Sequence, residues 1–185
     1  MGSRPALATE TRRDNRLTFR ERRHAPPLIR SDMKIIRLGR HHLDIHSEID
    51  RKRMSPAALQ AFFQLISDWG VPESDARTLL GRMTLEQYAQ LRTDPRTRPL
   101  EPSELKRVAC LLSIWHELSQ LYGPSLAGEW AQLPNKHPMF CKVTPIMYML
   151  IGGMPAMANV QRLLIKQRRE AAQAQSAEQT LEDPT

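Results

Sequence analysis

VPESDARTLLGRMTLEQYAQLRT, residues 71–93, is the stretch on which the fold turns. Val71-Pro72 opens a short helix, because proline in the first helical turn gives up an N–H that has no partner there. Ala76, Leu79 and Leu80 share its inner face, and Gly81 marks its C-terminal end. Thr84-Leu85-Glu86-Gln87 follows as a capping box, in which the threonine oxygen and the glutamine side chain each satisfy the other's free backbone N–H. A second helix therefore starts at Leu85, with Leu85, Tyr88 and Leu91 inward and Glu86, Gln87 and Gln90 outward. Two short helices across a tight glycine-containing turn have the form of a helix-turn-helix, whose second helix enters the major groove by its N-terminal end. On that reading Arg82, Thr84, Gln87, Gln90 and Arg92 contact DNA. The glutamines donate and accept at adenine edges, while the arginines, with Arg77, Arg96 and Arg98 beside them, grip phosphates. Glu86 opposes them from the same face, and the competing reading is an ordinary solvated helix surface.

Upstream of this unit, Ser55-Pro56 reads as an N-cap with proline at the first helical position. Leu59, Phe62, Phe63, Ile66 and Trp69 make one apolar face before Gly70 stops the helix. Downstream, a polar connection from Thr93 to Pro99 leads to the most strongly periodic helix, Pro102 to Tyr122. Leu105, Val108, Leu111, Leu112, Trp115, Leu118 and Leu121 give it a broad apolar stripe, which makes it the spine of the packing. Cys110 and His116 lie on it with no second nucleophile or base spaced to meet them. Residues 125–170 then read as three shorter helices: one from Ser125 with Trp130 and Leu133, one from Thr144-Pro145 to Gly152-Gly153, and one from Pro155 with Met157, Val160, Leu163 and Leu164 inward. Between the first two, the loop Lys136–Val143 holds Phe140 as an aromatic plug. No strand pattern interrupts this, so the expected class is all-α.

Charge divides the chain. Residues 1–54 hold 14 Lys/Arg against 7 Asp/Glu, whereas residues 55–185 hold 13 of each, so the formal charge of +7 sits in the first segment. Pro26 and Pro27 interrupt any helix there, and the expectation is a flexible basic arm that neutralises phosphates, with a passive tail as the alternative. Met33 and Met54 are further possible starts. His41, His42, Asp44 and His46 have metal-ligand side chains but no rigid surroundings, so no metal is assigned. Cys110 and Cys141 form neither a disulfide framework nor a zinc pattern. No run of 18 apolar residues and no secretory signal occurs, which makes a soluble cytoplasmic protein the expectation. Phosphate-cradling glycine loops, GxSxG, HExxH and paired carboxylates are all missing, so neither enzyme activity nor a cofactor is expected.

The order Trp130, Pro134-Asn135, Phe140, Thr144-Pro145, Gly153, Val160 and Leu163-Leu164 resembles the toxin-binding domain of Xre/MbcA/ParS-type antitoxins from RES-Xre type II toxin-antitoxin systems. Leu79-Leu80-Gly81 through Tyr88, followed by a long helix ending before Tyr122, is similar to the Xre-like helix-turn-helix that precedes it. The resemblance covers roughly residues 56–169. It implies a helix-turn-helix DNA-binding domain over 55–123 and a toxin-binding domain over 124–170; the basic arm over 1–54 and a C-terminal extension over 171–185 lie outside it. It also implies the function: an antitoxin, usually a homodimer, that neutralises a RES-domain toxin consuming NAD or transferring ADP-ribose, and represses its own operon through operator DNA. This chain departs from the pattern at Cys141 and Lys142, where members often carry small residues, and in its longer tail.

Toxin contact is expected from Arg162, Lys166 and Arg169, which recur at i, i+4 and i+7 on the face opposite the apolar one. The acidic end, Glu182 and Asp183, is expected to enter a basic nucleotide pocket of the toxin. The alternative function is a stand-alone helix-turn-helix transcription regulator with an all-α dimerisation domain.

Overall fold

The computed structural model describes residues 44–182, and every regular element among them is helical. The order is α1 (Glu48–Asp68), α2 (Glu73–Leu80), α3 (Leu85–Thr93), α4 (Pro102–Tyr122), α5 (Pro124–Trp130), a 3-10 turn at Pro138–Phe140, and α6 (Pro145–Glu182). The chain is thus all-α. No helix among the described residues is long and apolar enough to cross a membrane.

α4 is the spine. It packs against α1, α5 and α6, and its inner residues Leu105, Val108, Leu111, Ile114 and Leu118 are buried. They join one core with Phe62 and Trp69 of α1, Leu79 and Leu80 of α2, Phe140, and Met149, Met157, Val160 and Leu164 of α6. Hydrophobic burial on this scale is the main driving force of folding. Because it is continuous, the elements on both sides of Gly123 share one core. Trp115 and Leu121, expected in the stripe, are partly buried and pack against its edge.

α1 begins at Glu48, with the Ser47 hydroxyl accepting the Asp50 N–H, and not at Ser55-Pro56. The serine-proline pair misleads because the Ser55 hydroxyl works across the fold. Buried inside α1, it donates to the Arg51 carbonyl at 2.6 Å and accepts the buried Leu100 N–H at 2.7 Å. Residues 48–54 therefore belong to α1 and not to the arm. The rest of the arm, and His41 and His42, lie outside the described residues. Asp44 accepts the His46 N–H at 2.8 Å, and among the described residues no group of three His, Cys, Asp or Glu is placed to hold a metal.

α1 ends in a Schellman closure: Val71 N–H reaches the Ile66 carbonyl and Gly70 N–H the Ser67 carbonyl, both at 3.0 Å. α4 begins at Pro102 and α5 at Pro124, one residue before the expected Ser125. α6 contains one non-helical residue, Gly153 at φ 59°, ψ −144°, a conformation open essentially to glycine alone. Two helical segments meet there, as Gly152-Gly153 and Pro155 suggest. The second runs on past Arg169, and its residues 170–177 are exposed.

Candidate functional site

Two surfaces carry the residues that sequence reading singles out. The first is formed by α2, α3 and the turn between them. The capping box forms as expected, with Gln87 N–H on Thr84 Oγ1 at 3.2 Å and Thr84 N–H on Gln87 Oε1 at 3.1 Å. Tyr88 and Leu91 are buried, but Leu85 is 57% exposed. Met83, just before the cap, is buried and fills the inner place assigned to Leu85. The exposed residues of α3 are therefore Leu85, Glu86, Gln87, Ala89, Gln90, Arg92 and Thr93. Gln87 cannot serve fully both as a cap and as a bidentate reader, because its carbonyl oxygen is already occupied by Thr84. Gln90 keeps both its donor and its acceptor.

The arginines around this unit are unequal. Arg82 is exposed and held at φ 60°, so the turn's left-handed residue carries a side chain. Arg92 is exposed and pairs across the turn with Glu73 at 3.5 Å. Arg98 is committed elsewhere: both of its terminal nitrogens meet the Glu104 carboxylate at 2.8 Å, and this bidentate contact raises its pKa further. Burial likewise pushes the Tyr88 hydroxyl up. Between α1 and the segment after α3 lies an open groove of about 680 Å³, bordered by Gln60, Phe63, Gln64, Arg92 and Arg96.

The second surface is the unit from α5 to α6, and each residue of its sequence signature has a mechanical task. Asn135 Oδ1 accepts the His137 N–H at 2.9 Å, turning the chain after Pro134. Phe140 is fully buried at the centre of an edge-to-face cluster, with ring centroids 5.8 Å from Trp130 and 5.5 Å from Tyr148. Thr144 Oγ1 caps α6 by accepting the Met147 N–H at 3.3 Å, with Pro145 as the first helical residue. Ile146 N–H then closes on the Ala131 carbonyl at 3.0 Å. Cys141 and Lys142 take φ 51° and 70°, which gives the departure from small residues a physical form: both occupy left-handed backbone positions.

Arg162, Lys166 and Arg169 are all exposed on α6, as the spacing predicts. Arg162 is anchored by donating to the Asn159 side-chain Oδ1 at 2.6 Å, and Lys166 pairs with Glu170 at 3.7 Å. Glu182 ends the helix without a described side chain, and Asp183 lies outside the described residues. Sequence reading missed Arg168, whose guanidinium meets the buried Glu117 of α4. A charged residue inside the apolar stripe of α4 was the available signal. Gln161 donates to Ser113 at 2.8 Å on the same helix–helix seam, and burial there pushes the Cys110 thiol up. No protein-family model, curated protein or solved structure matches this chain.

Proposed function

We propose that this chain is an antitoxin. Residues 124–170 bind and neutralise a toxin, α2 and α3 act as a helix-turn-helix on operator DNA, and the working unit is a homodimer. The toxin of the resemblance is a RES-domain protein that consumes NAD or transfers ADP-ribose. One observation carries the reading: Trp130, Asn135, Phe140, Thr144, Pro145 and Gly153, the residues of the antitoxin signature, together build one small unit, while Arg162, Lys166 and Arg169 stay exposed on its last helix. Residues that set a unit's geometry are expected to recur wherever that unit is used.

Co-expression with the protein of the neighbouring gene tests it. The expected result is a complex that survives purification, and growth arrest by the neighbour alone that this chain relieves. No complex and no relief would refute the antitoxin reading. The DNA half is tested separately by footprinting on the chain's own promoter. Gln90→Ala is expected to cost about 1–3 kcal/mol of base contact, whereas Gln87→Ala acts mainly through the cap. Deleting residues 1–43, which leaves Ser47 and α1 whole, flattens the salt dependence if the arm binds phosphates.

A further inference from the structure

We propose that the partner protein docks in the apolar groove beside the Gly153 break, presenting an apolar side chain flanked by carboxylates; this rests on the antitoxin reading and locates its contact. The groove, about 340 Å³, is lined by Phe140, Val143, Tyr148, Ile151, Gly152 and Pro155. It exists because of the two glycines. Gly153 turns the chain between the two segments of α6, and a Cβ on Gly152 would stand 2.6 Å from the Ala156 Cβ. Ile151 stands on the rim with 72% of its surface in water, and Met147, one turn earlier on the same face, is 45% exposed. Single exposed aliphatic side chains are ordinary; two adjoining ones beside an apolar groove make a contiguous patch.

Charge identifies the occupant. Between Glu129 and Glu170 the sequence holds six Lys/Arg and no carboxylate. Of these, Arg168 is taken by Glu117 and Lys166 by Glu170. Two of the others border the groove. Lys142 is exposed between the lining residues Cys141 and Val143. Arg162 reaches Asn159, a further lining residue whose amide also donates to the Tyr148 hydroxyl at 3.2 Å. That chain of contacts fixes the guanidinium at the edge and leaves its Nη1 without a partner among the described residues, so a carboxylate arriving there meets a preorganised donor. A nucleic-acid backbone would use the cations but not the apolar floor, which favours a protein. The groove supplies the buried centre of the interface, and the exposed face of α6 through Lys166 and Arg169 supplies its rim.

The test is the affinity of the full-length chain for the neighbouring gene's protein. Ile151→Asp is expected to weaken the complex by about 100-fold, since a hot-spot side chain is lost and a carboxylate meets carboxylates. Arg162→Glu is expected to weaken it by about tenfold, mostly through faster dissociation. Gln60→Glu, in the groove beside α1, leaves affinity unchanged. Ile151 is largely exposed, so melting curves of the Ile151→Asp chain should match the parent; Ile151→Ser provides a second variant should they not. If the parent chain binds and both Ile151 variants bind equally well, the groove is not the dock although the antitoxin reading stands. If the parent chain does not bind, the reading itself fails, and the groove with it. Displacement of the partner by a short DNA duplex whose own binding needs Ile151 would overturn the proposal in favour of nucleic acid.

Discussion

Residues 55–129, running from α1 to α5, hold seven Lys/Arg against nine Asp/Glu; residues 130–169, from Trp130 into α6, hold six Lys/Arg and no acid at all. The two regions share one core but carry opposite charge. A helix pair that binds DNA ordinarily brings its own phosphate-neutralising charge. Here α2 and α3 sit in the slightly acidic region, with Arg98 and Arg92 already facing carboxylates. The excess charge lies instead in the N-terminal segment and on the C-terminal unit. The difference teaches that shape and charge are assigned to separate parts of this chain: on the proposed helix-turn-helix reading, α3 would offer the face that reads DNA, and the cations that grip phosphates would have to come from elsewhere.

The comparison is broken most severely at Phe140. Its ring belongs to the C-terminal unit yet lies in the core common to both regions, so Phe140→Ala is expected to cost about 4 kcal/mol. If the regions are one cooperative structure, hydrogen exchange should accelerate in α4 as much as in α6. Acceleration confined to α6 would mean that α1–α4 stand without the unit. Next in size is the ion pair that crosses between them. Arg168→Ala leaves the buried Glu117 carboxylate without its cation, at an expected cost of about 2 kcal/mol, smaller than for a fully buried pair because the guanidinium is partly in water. Glu117→Gln in the same chain should recover part of that loss, and denaturant titration of the single and double variants measures both. Gly153→Ala follows at about 2 kcal/mol or less by the same titration, since only glycine adopts its backbone angles without strain; partner affinity should fall with it as the two α6 segments shift.

How much of this was legible beforehand differs between the regions for physical reasons. The Thr84–Gln87 box, Pro102, Gly123 and Thr144-Pro145 are local signals, each satisfied by atoms within a few residues, and each stands where the sequence puts it. A local pattern misplaces the start of α1 because the Ser55 hydroxyl serves Leu100, which is 45 residues away. Periodicity places Leu85 inward although the core takes Met83, the residue before the cap, because spacing alone does not distinguish the two. The contacts proposed on α6 were found by spacing, but the groove was not. It depends on the bend at Gly153 bringing Ile151, Pro155 and Phe140 together, and on an absence of acids that a whole-chain charge balance conceals.

The smallest expected effect concerns the loop inside the second region, between Phe140 and Thr144. Cys141 and Lys142 both hold positive φ, where a Cβ crowds the following carbonyl. Lys142→Gly should therefore relieve strain, while the freer unfolded glycine chain offsets part of the gain, for a net stabilisation of about 1 kcal/mol or less. Since Lys142 borders the proposed dock, the same change should weaken partner binding slightly even as the melting temperature rises. A rise in both would mean that the lysine contributes only strain and that the carboxylates of the partner are read by Arg162 alone. A fall in both would mean that the lysine side chain supports the loop, and that its left-handed backbone is held by contacts stronger than the strain they oppose.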